Sequence, residues 1–163
     1  MARDALPKAL LPSLLDRLVD PESGGGASGG YTQAEMVDAV RRDLEDLLNT
    51  RQWNQEALAA YPELTTSTAA YGLPDFASFD AEASMRKPMM ARILENLIMT
   101  FEPRLIEVRA VPVEPDGYAK DPHRVQFQIE GRLHLDPNPR VEFETVVELL
   151  TGQAEVKSGV AEP

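Results

Sequence analysis

The chain alternates between apolar residues at helical spacing and apolar residues at strand spacing, and the change of period divides it. Near the start, Leu10, Leu11, Leu14, Leu15 and Leu18 recur at i, i+3, i+4 and i+7, which predicts a short amphipathic helix. Such a helix is too short to be stable alone. It is followed by "PESGGGASGG", Pro21 to Gly30, a flexible Gly/Ser linker with a mean reach of roughly 17 Å. An apolar helix on a tether either folds back on its own domain or docks on a partner through Leu11, Leu14, Leu15 and Leu18, and the pattern leaves both readings open.

In "YTQAEMVDAVRRDLEDLLNTRQW", Thr32 and Glu35 have the spacing of a capping box, and Met36, Val37, Val40, Leu44, Leu47 and Leu48 form one apolar face. The acids and arginines opposite are expected to be a solvated face, with Asn49 and Thr50 ending the helix. From Trp53 to Asp80 turn formers accumulate, Pro62, Gly72 and Pro74 among them. This predicts a loop built on Tyr71, Leu73 and Phe76 that packs over the core, with a loop contact through Tyr71 as the alternative. A second helix is expected with Ser84 as cap and Pro88 in its first turn. Its stripe of Met89, Met90, Ile93, Leu94, Leu97, Ile98 and Phe101 marks it as the central core helix, with Met89, Met90 and Met99 as core filling.

Beyond Pro103 the period becomes two. Ile106, Val108 and Ala110 share one face; Val125, Phe127, Ile129, Leu133 and Leu135 share another, as do Val141, Phe143, Thr145, Val147 and Leu149. "DPNP", Asp136 to Pro139, joins the last two runs as a hairpin. Segregated helices and strands define an α+β fold, a small antiparallel or mixed sheet of about three to four strands on two main helices. The expected organisation is an amphipathic segment at 1–20, the linker at 21–30, a folded domain at 31–152 and a polar tail at 153–163 that frays or adds an edge strand.

Composition narrows the class. The 163 residues suffice for one domain with a real core. There is no cysteine, hence no disulfide framework or thiolate metal site, and no apolar run is long enough to span a bilayer, so a cytoplasmic location is expected. A formal net charge of −11 with scattered basic residues argues against nucleic acid as a partner.

The chemistry concentrates at "FEPRL", where the helical pattern stops. If the chain is extended from Glu102 onward, Glu102 and Arg104 lie on one face roughly 7 Å apart at Cα, within reach of a charge pair at the rim of the buried face. Catalysis fits poorly. A glycosidase needs a second carboxyl about 5 to 9 Å across the sugar and a raised pKa on its acid, whereas an adjacent arginine lowers it. There is no Gly-x-Ser-x-Gly, no phosphate-binding glycine loop and no His-Glu-x-x-His, and His123 and His134 make no metal site. Neither a cofactor nor a metal is implied, and the turn is structural, interaction-directed, or both.

Five segments in order, "SLLDRL" (Ser13–Leu18), "VRRDLEDLLNTR" (Val40–Arg51), "YGLPDF" (Tyr71–Phe76), "FEPRL" (Phe101–Leu105) and "IEGRLHLDPNPRVEFETVVELLTG" (Ile129–Gly152), resemble the TssE family. These are baseplate subunits of bacterial type VI secretion systems, within the phage baseplate wedge proteins that also carry a lysozyme label. Ala70 departs from the asparagine that relatives often place before Tyr-Gly. The resemblance implies a non-enzymatic baseplate component and a fold similar to the handshake domain of sheath subunits. Its implied partners are TssF and TssG in the wedge, TssK nearby, and the sheath subunits TssB and TssC, whose first ring it would template by strand exchange. The family's Glu-Pro-Arg motif maps onto Glu102, Pro103 and Arg104 as the wedge contact, with Arg104 expected to be dispensable for the isolated fold. Two rivals remain: a peptidoglycan hydrolase using Glu102 as its acid, and a wedge subunit of another contractile injection machine.

Overall fold

Helix α1 (Gln33–Asn49) begins where the capping box places it: the Thr32 N–H donates to Glu35 Oε2 at 2.7 Å and the Glu35 N–H donates to Thr32 Oγ1 at 3.3 Å. The Thr32 N–H, and the Thr32 hydroxyl that donates to the same Oε2 at 2.8 Å, hold the Glu35 carboxyl below the usual carboxylate range. The structure, a computed structural model, describes residues 13, 16, 18, 31–52, 58, 60–76, 83–114, 124–135, 138–149 and 151–159. The Gly/Ser linker at 21–30, His123, and Asp136 and Pro137 of the "DPNP" turn lie outside the described residues. Two units divide the chain, residues 1–40 and 41–163. In the first, Met36, Ala39 and Val40 are buried on the apolar face of α1, and Ser13 bonds Asp16 at 2.8 Å.

The second unit carries a four-stranded antiparallel sheet in the order β1 (Leu105–Val113), β2 (Arg124–Leu133), β3 (Arg140–Glu148) and β4 (Ala154–Gly159). Alternation works as read: Val125, Phe127, Ile129 and Leu133 on β2, and Val141, Phe143, Thr145 and Val147 on β3, are all buried on one face. The chain after Gln153 takes the edge-strand course, with Ala154 and Val156 completing that face. Against it lie the apolar residues of the second half of α1, Leu44, Leu47 and Leu48, and of helix α2 (Ala83–Phe101), where Met90, Leu94 and Ile98 are fully enclosed.

Four local expectations need correcting. Ser84 lies inside α2 rather than at its cap, and Pro88 sits beyond the first turn, where its missing N–H removes one rung of the helical ladder. Met99 is 50% exposed, because it lies a third of a turn off the Leu94–Ile98 stripe. Strand β1 is not a simple alternation either. Ile106 pairs with Arg132 and Arg109 with Glu130, so Glu107 and Val108 together oppose Gly131 in a β-bulge, with Glu107 at φ 55°. The extra residue shifts the parity, which buries Leu105 and Val108 and leaves Ile106 only half-buried.

The stretch between the helices holds two short 3-10 turns, Pro62–Thr66 and Thr68–Ala70, and then "YGLPDF". Leu73 makes a parallel bridge with Arg51: its N–H donates to the Thr50 carbonyl at 2.7 Å, and the Gln52 N–H donates to the Leu73 carbonyl at 2.9 Å. Gly72 allows this approach. Its φ is +107°, and a Cβ there would lie 2.4 Å from the Thr50 carbonyl oxygen, a backbone atom with no freedom to move aside.

Two stability outcomes follow from this packing. Gly72→Ala is expected to cost about 2 kcal/mol or more, through strain and the Thr50 clash. Thr145 is fully buried and its hydroxyl finds no partner among the described residues, so Thr145→Val is expected to add about 1 kcal/mol. Urea midpoints at constant m-value check both.

Candidate functional site

The Glu-Pro-Arg segment is a turn, not the start of an extended strand. The Glu102 N–H still donates to the Ile98 carbonyl at 2.8 Å, as in a continuing helix. Pro103 then offers no N–H, and the Leu105 N–H closes back on the Glu102 carbonyl at 3.1 Å. The His134 N–H donates to the Arg104 carbonyl at 2.7 Å, which fastens the turn to the end of β2. The chain therefore passes from α2 to β1 in one tight reversal.

Within that turn Glu102 is only 4% exposed, deeper than the rim position that an extended geometry predicts. Its carboxylate is held on both oxygens by the residue two positions on. Oε1 accepts from Arg104 Nε at 2.7 Å and from the Arg104 backbone N–H at 3.1 Å, while Arg104 Nη2 bonds Oε2. The same Nη2 donates to Asp43 Oδ2 of α1 at 2.5 Å. Burial alone disfavours the guanidinium charge, but Glu102 and then Asp43 overcome that and raise the Arg104 pKa above its ordinary value.

Asp43 was expected on a solvated face. It lies four residues before buried Leu47 and so borders the apolar stripe, but nothing in its own neighbourhood points to an arginine 61 positions away. Tyr71, read as a loop contact, joins this cluster. Its ring stacks edge-on to Phe101 at a centroid distance of 5.4 Å and 75°. Burial first, then the charges of Asp46, Asp43 and Glu102, push its phenol above the usual tyrosine value. Ala70, the departure noted in the sequence, is buried; its carbonyl accepts from the Gln52 side chain at 3.0 Å and its N–H donates to the Ser67 carbonyl at 3.0 Å.

Leu11, Leu14 and Leu15 lie outside the described residues, and Leu18 is 70% exposed. His134 is exposed. Among the described residues no group of three or more His, Cys, Asp or Glu could hold a metal ion, and no helix is long and apolar enough to cross a membrane. A groove of about 550 Å³ runs between α2 and the two 3-10 turns, lined by Leu58, Ile93, Leu97, Phe101 and amide or hydroxyl side chains, with no titratable group among its described lining residues.

Fold and site together define a small α+β module whose most concentrated charge chemistry is a closed structural clamp. The chain belongs to the family of the baseplate wedge protein gp25, whose family model matches residues 34–138, from the start of α1 through β2. That family comprises structural baseplate components of contractile injection systems, and the match is consistent with the resemblance to TssE, its type VI homologue. No curated protein and no solved structure matches the chain.

The clamp makes Arg104 a folding residue. Arg104→Ala leaves a buried carboxylate uncompensated and is expected to cost about 3–5 kcal/mol, seen as a lowered urea midpoint of the isolated protein. The sequence expectation of a dispensable anchor predicts an unchanged midpoint, so the same measurement decides between the two. For Tyr71, a raised folded pKa means that its stabilising contribution is complete below about pH 10 and is lost as pH rises through the folded value. A difference titration of phenolate absorbance between wild type and Tyr71→Phe is expected to place the missing transition above pH 10.

Proposed function

We propose that this protein is a TssE-type baseplate subunit of a type VI secretion system, a cytoplasmic, non-enzymatic adaptor between the TssF/TssG wedge, with TssK nearby, and the TssB/TssC sheath. The family match supports a baseplate role, and the ordered motifs favour the type VI member over a wedge subunit of another contractile machine. The observation that carries the reading is the division of labour within Glu102-Pro103-Arg104. Glu102 is buried and Arg104 is spent on two carboxylates, whereas Pro103 at the apex is exposed. The charged residues hold the turn in shape, and the apex with the outer edge of Arg104 is what a wedge partner meets. A rigid apex loses little entropy on docking.

The same geometry speaks against the hydrolase reading. A general acid needs contact with substrate and a neutral carboxyl at working pH. The Glu102 carboxylate bonds the Arg104 guanidinium and the Arg104 backbone N–H, Asp43 meets it only through that guanidinium, and the groove beside α2 holds no titratable side chain among its described lining residues.

The test separates shape from contact. Pro103→Asp keeps the clamp and is expected to fold with a loss of at most about 1 kcal/mol, because aspartate is tolerated in such turns. Its co-purification with co-expressed TssF and TssG is expected to fall about tenfold or more. The double variant Glu102→Leu, Arg104→Met removes both charges together and is expected to restore most of the stability that Arg104→Ala loses. Undiminished co-purification of folded Pro103→Asp would remove the apex as the docking point. Muramidase turnover by the wild type that disappears in Glu102→Gln would overturn the adaptor reading itself.

A further inference from the structure

The odd-numbered residues of β2 and β3 form the buried face, so their even-numbered neighbours face away from the helices. Near the Glu-Pro-Arg turn that outer face is charged in rows. Glu130 lies directly opposite Glu142, and Arg132 directly opposite Arg140. The Leu133 N–H donates to the Pro139 carbonyl at 3.0 Å, which makes the next rung, Arg132 with Arg140, a non-hydrogen-bonded pair. By the same alternation Glu130 with Glu142 is another. At such rungs the Cα atoms are about 4.5 Å apart and the side chains are closest, so like charges placed there repel. Folding alone gains nothing from this arrangement, since alternating signs across each rung would stabilise the sheet.

The two rows are answered unequally within the chain. Glu130 has Arg109 opposite it on β1, and Glu142 accepts from Gln128 Nε2 at 3.2 Å. Arg132 Nε meets Glu107 Oε2 at 3.2 Å, a contact delivered by the bulge, where Glu107 takes a φ of 55° that residues other than glycine seldom adopt. The Glu107 side chain is 71% exposed, so it shields one side of one arginine only. Arg140 is exposed, and its guanidinium meets no acceptor among the described residues. A notch of about 590 Å³ lies over this corner, bordered by Glu107, Glu130, Arg132, Arg140 and Glu142.

We propose that this notch is a second docking point for a wedge protein, which seats a carboxylate between Arg132 and Arg140 and a lysine or arginine between Glu130 and Glu142. The rows are two residues apart along each strand, roughly 7 Å. A protein segment carries an acid and a base near that separation, at i and i+2 when extended or at i and i+4 in a helix. A phosphate chain or a free anion supplies only the acid, and the glutamate row repels it. Two guanidinium forks suit a shared carboxylate, and relief of the repulsion between them adds to its binding. The corner is also contiguous with the apex at Pro103. His134, whose N–H donates to the Arg104 carbonyl at 2.7 Å, follows Arg132 by two residues, so the arginine row begins roughly 7 Å from that turn. The inference rests on the reading of the protein as a baseplate adaptor and extends its wedge contact from Pro103 onto the sheet.

Arg140→Glu separates docking from folding, because it places opposite charges on the rung with Arg132. The urea midpoint of the isolated protein is expected to rise, while co-purification with co-expressed TssF and TssG is expected to fall about tenfold at low salt. The deficit is expected to shrink as added salt weakens the wild-type complex. Arg124→Glu, at the other end of β2, makes the same change in net charge and is expected to bind as the wild type does. Undiminished co-purification by Arg140→Glu, or an equal loss in Arg124→Glu, overturns the notch as a docking point and leaves the Pro103 apex standing. A lowered midpoint in Arg140→Glu overturns it as well, by making Arg140 a folding residue. If the variant loses only sheath-subunit binding, or only a self-association of the wild type seen by size-exclusion chromatography, the notch belongs to another occupant and the wedge assignment falls. If the folded wild type forms no complex with TssF and TssG, the adaptor reading falls and the notch with it.

Discussion

A carboxylate that is 4% exposed is the constraint to which the surrounding structure answers. Removing an ionised carboxyl from water costs several kcal/mol, which is recovered only if both oxygens are bonded in good geometry. Glu102 meets that condition through Arg104, two residues on, because Pro103 forces a tight turn between them. One requirement therefore couples the end of α2, the start of β1 and, through Asp43, the second half of α1. The clamp is local in sequence where it is strongest and long-range where it sets tertiary orientation. A bidentate arginine suits this, since its planar fork bonds one carboxylate and leaves donors for another.

A second set of ties holds the far end of α1. Gly72 lets "YGLPDF" lie against Thr50, the Arg51 guanidinium donates to the Thr151 carbonyl at 2.8 Å, and Asn49 bonds Ala154 in both directions. The residues from Asn49 to Gln52 thus contact the loop before α2 and the last turn of the sheet at once. They leave β4 partly covered without a further strand, which is one way that an edge is kept from indiscriminate pairing. On β1 the same end is reached by other means, a bulge, a proline and a glutamate from α2.

Both arrangements suit a protein that works by contact. Buried Glu102 is matched within the chain, the apolar groove beside α2 shows no acid–base group among its described lining residues, and Pro103 stands exposed at the apex of its turn. Membership of the gp25 baseplate wedge family agrees with such a design.

The sequence by itself determined the elements and most of the buried face. Periods of 3.6 and 2 are local consequences of which side of a helix or strand meets the core, so α1, the Leu94–Ile98 stripe and the β2 and β3 alternations were legible, as was the pairing of Glu102 with Arg104. The bulge was not, because Glu107 is an ordinary polar residue whose left-handed backbone comes from the opposing strand rather than from its own preference. Nor was the role of Asp43 or of Asn49, since a polar residue on a helix looks the same whether it meets water or an arginine from a distant turn. The depth of Glu102 and the unequal state of the two sheet edges belong to tertiary structure alone. Each depends on which groups the fold brings within 3 Å of one another across 60 or more residues, and no local spacing encodes that distance.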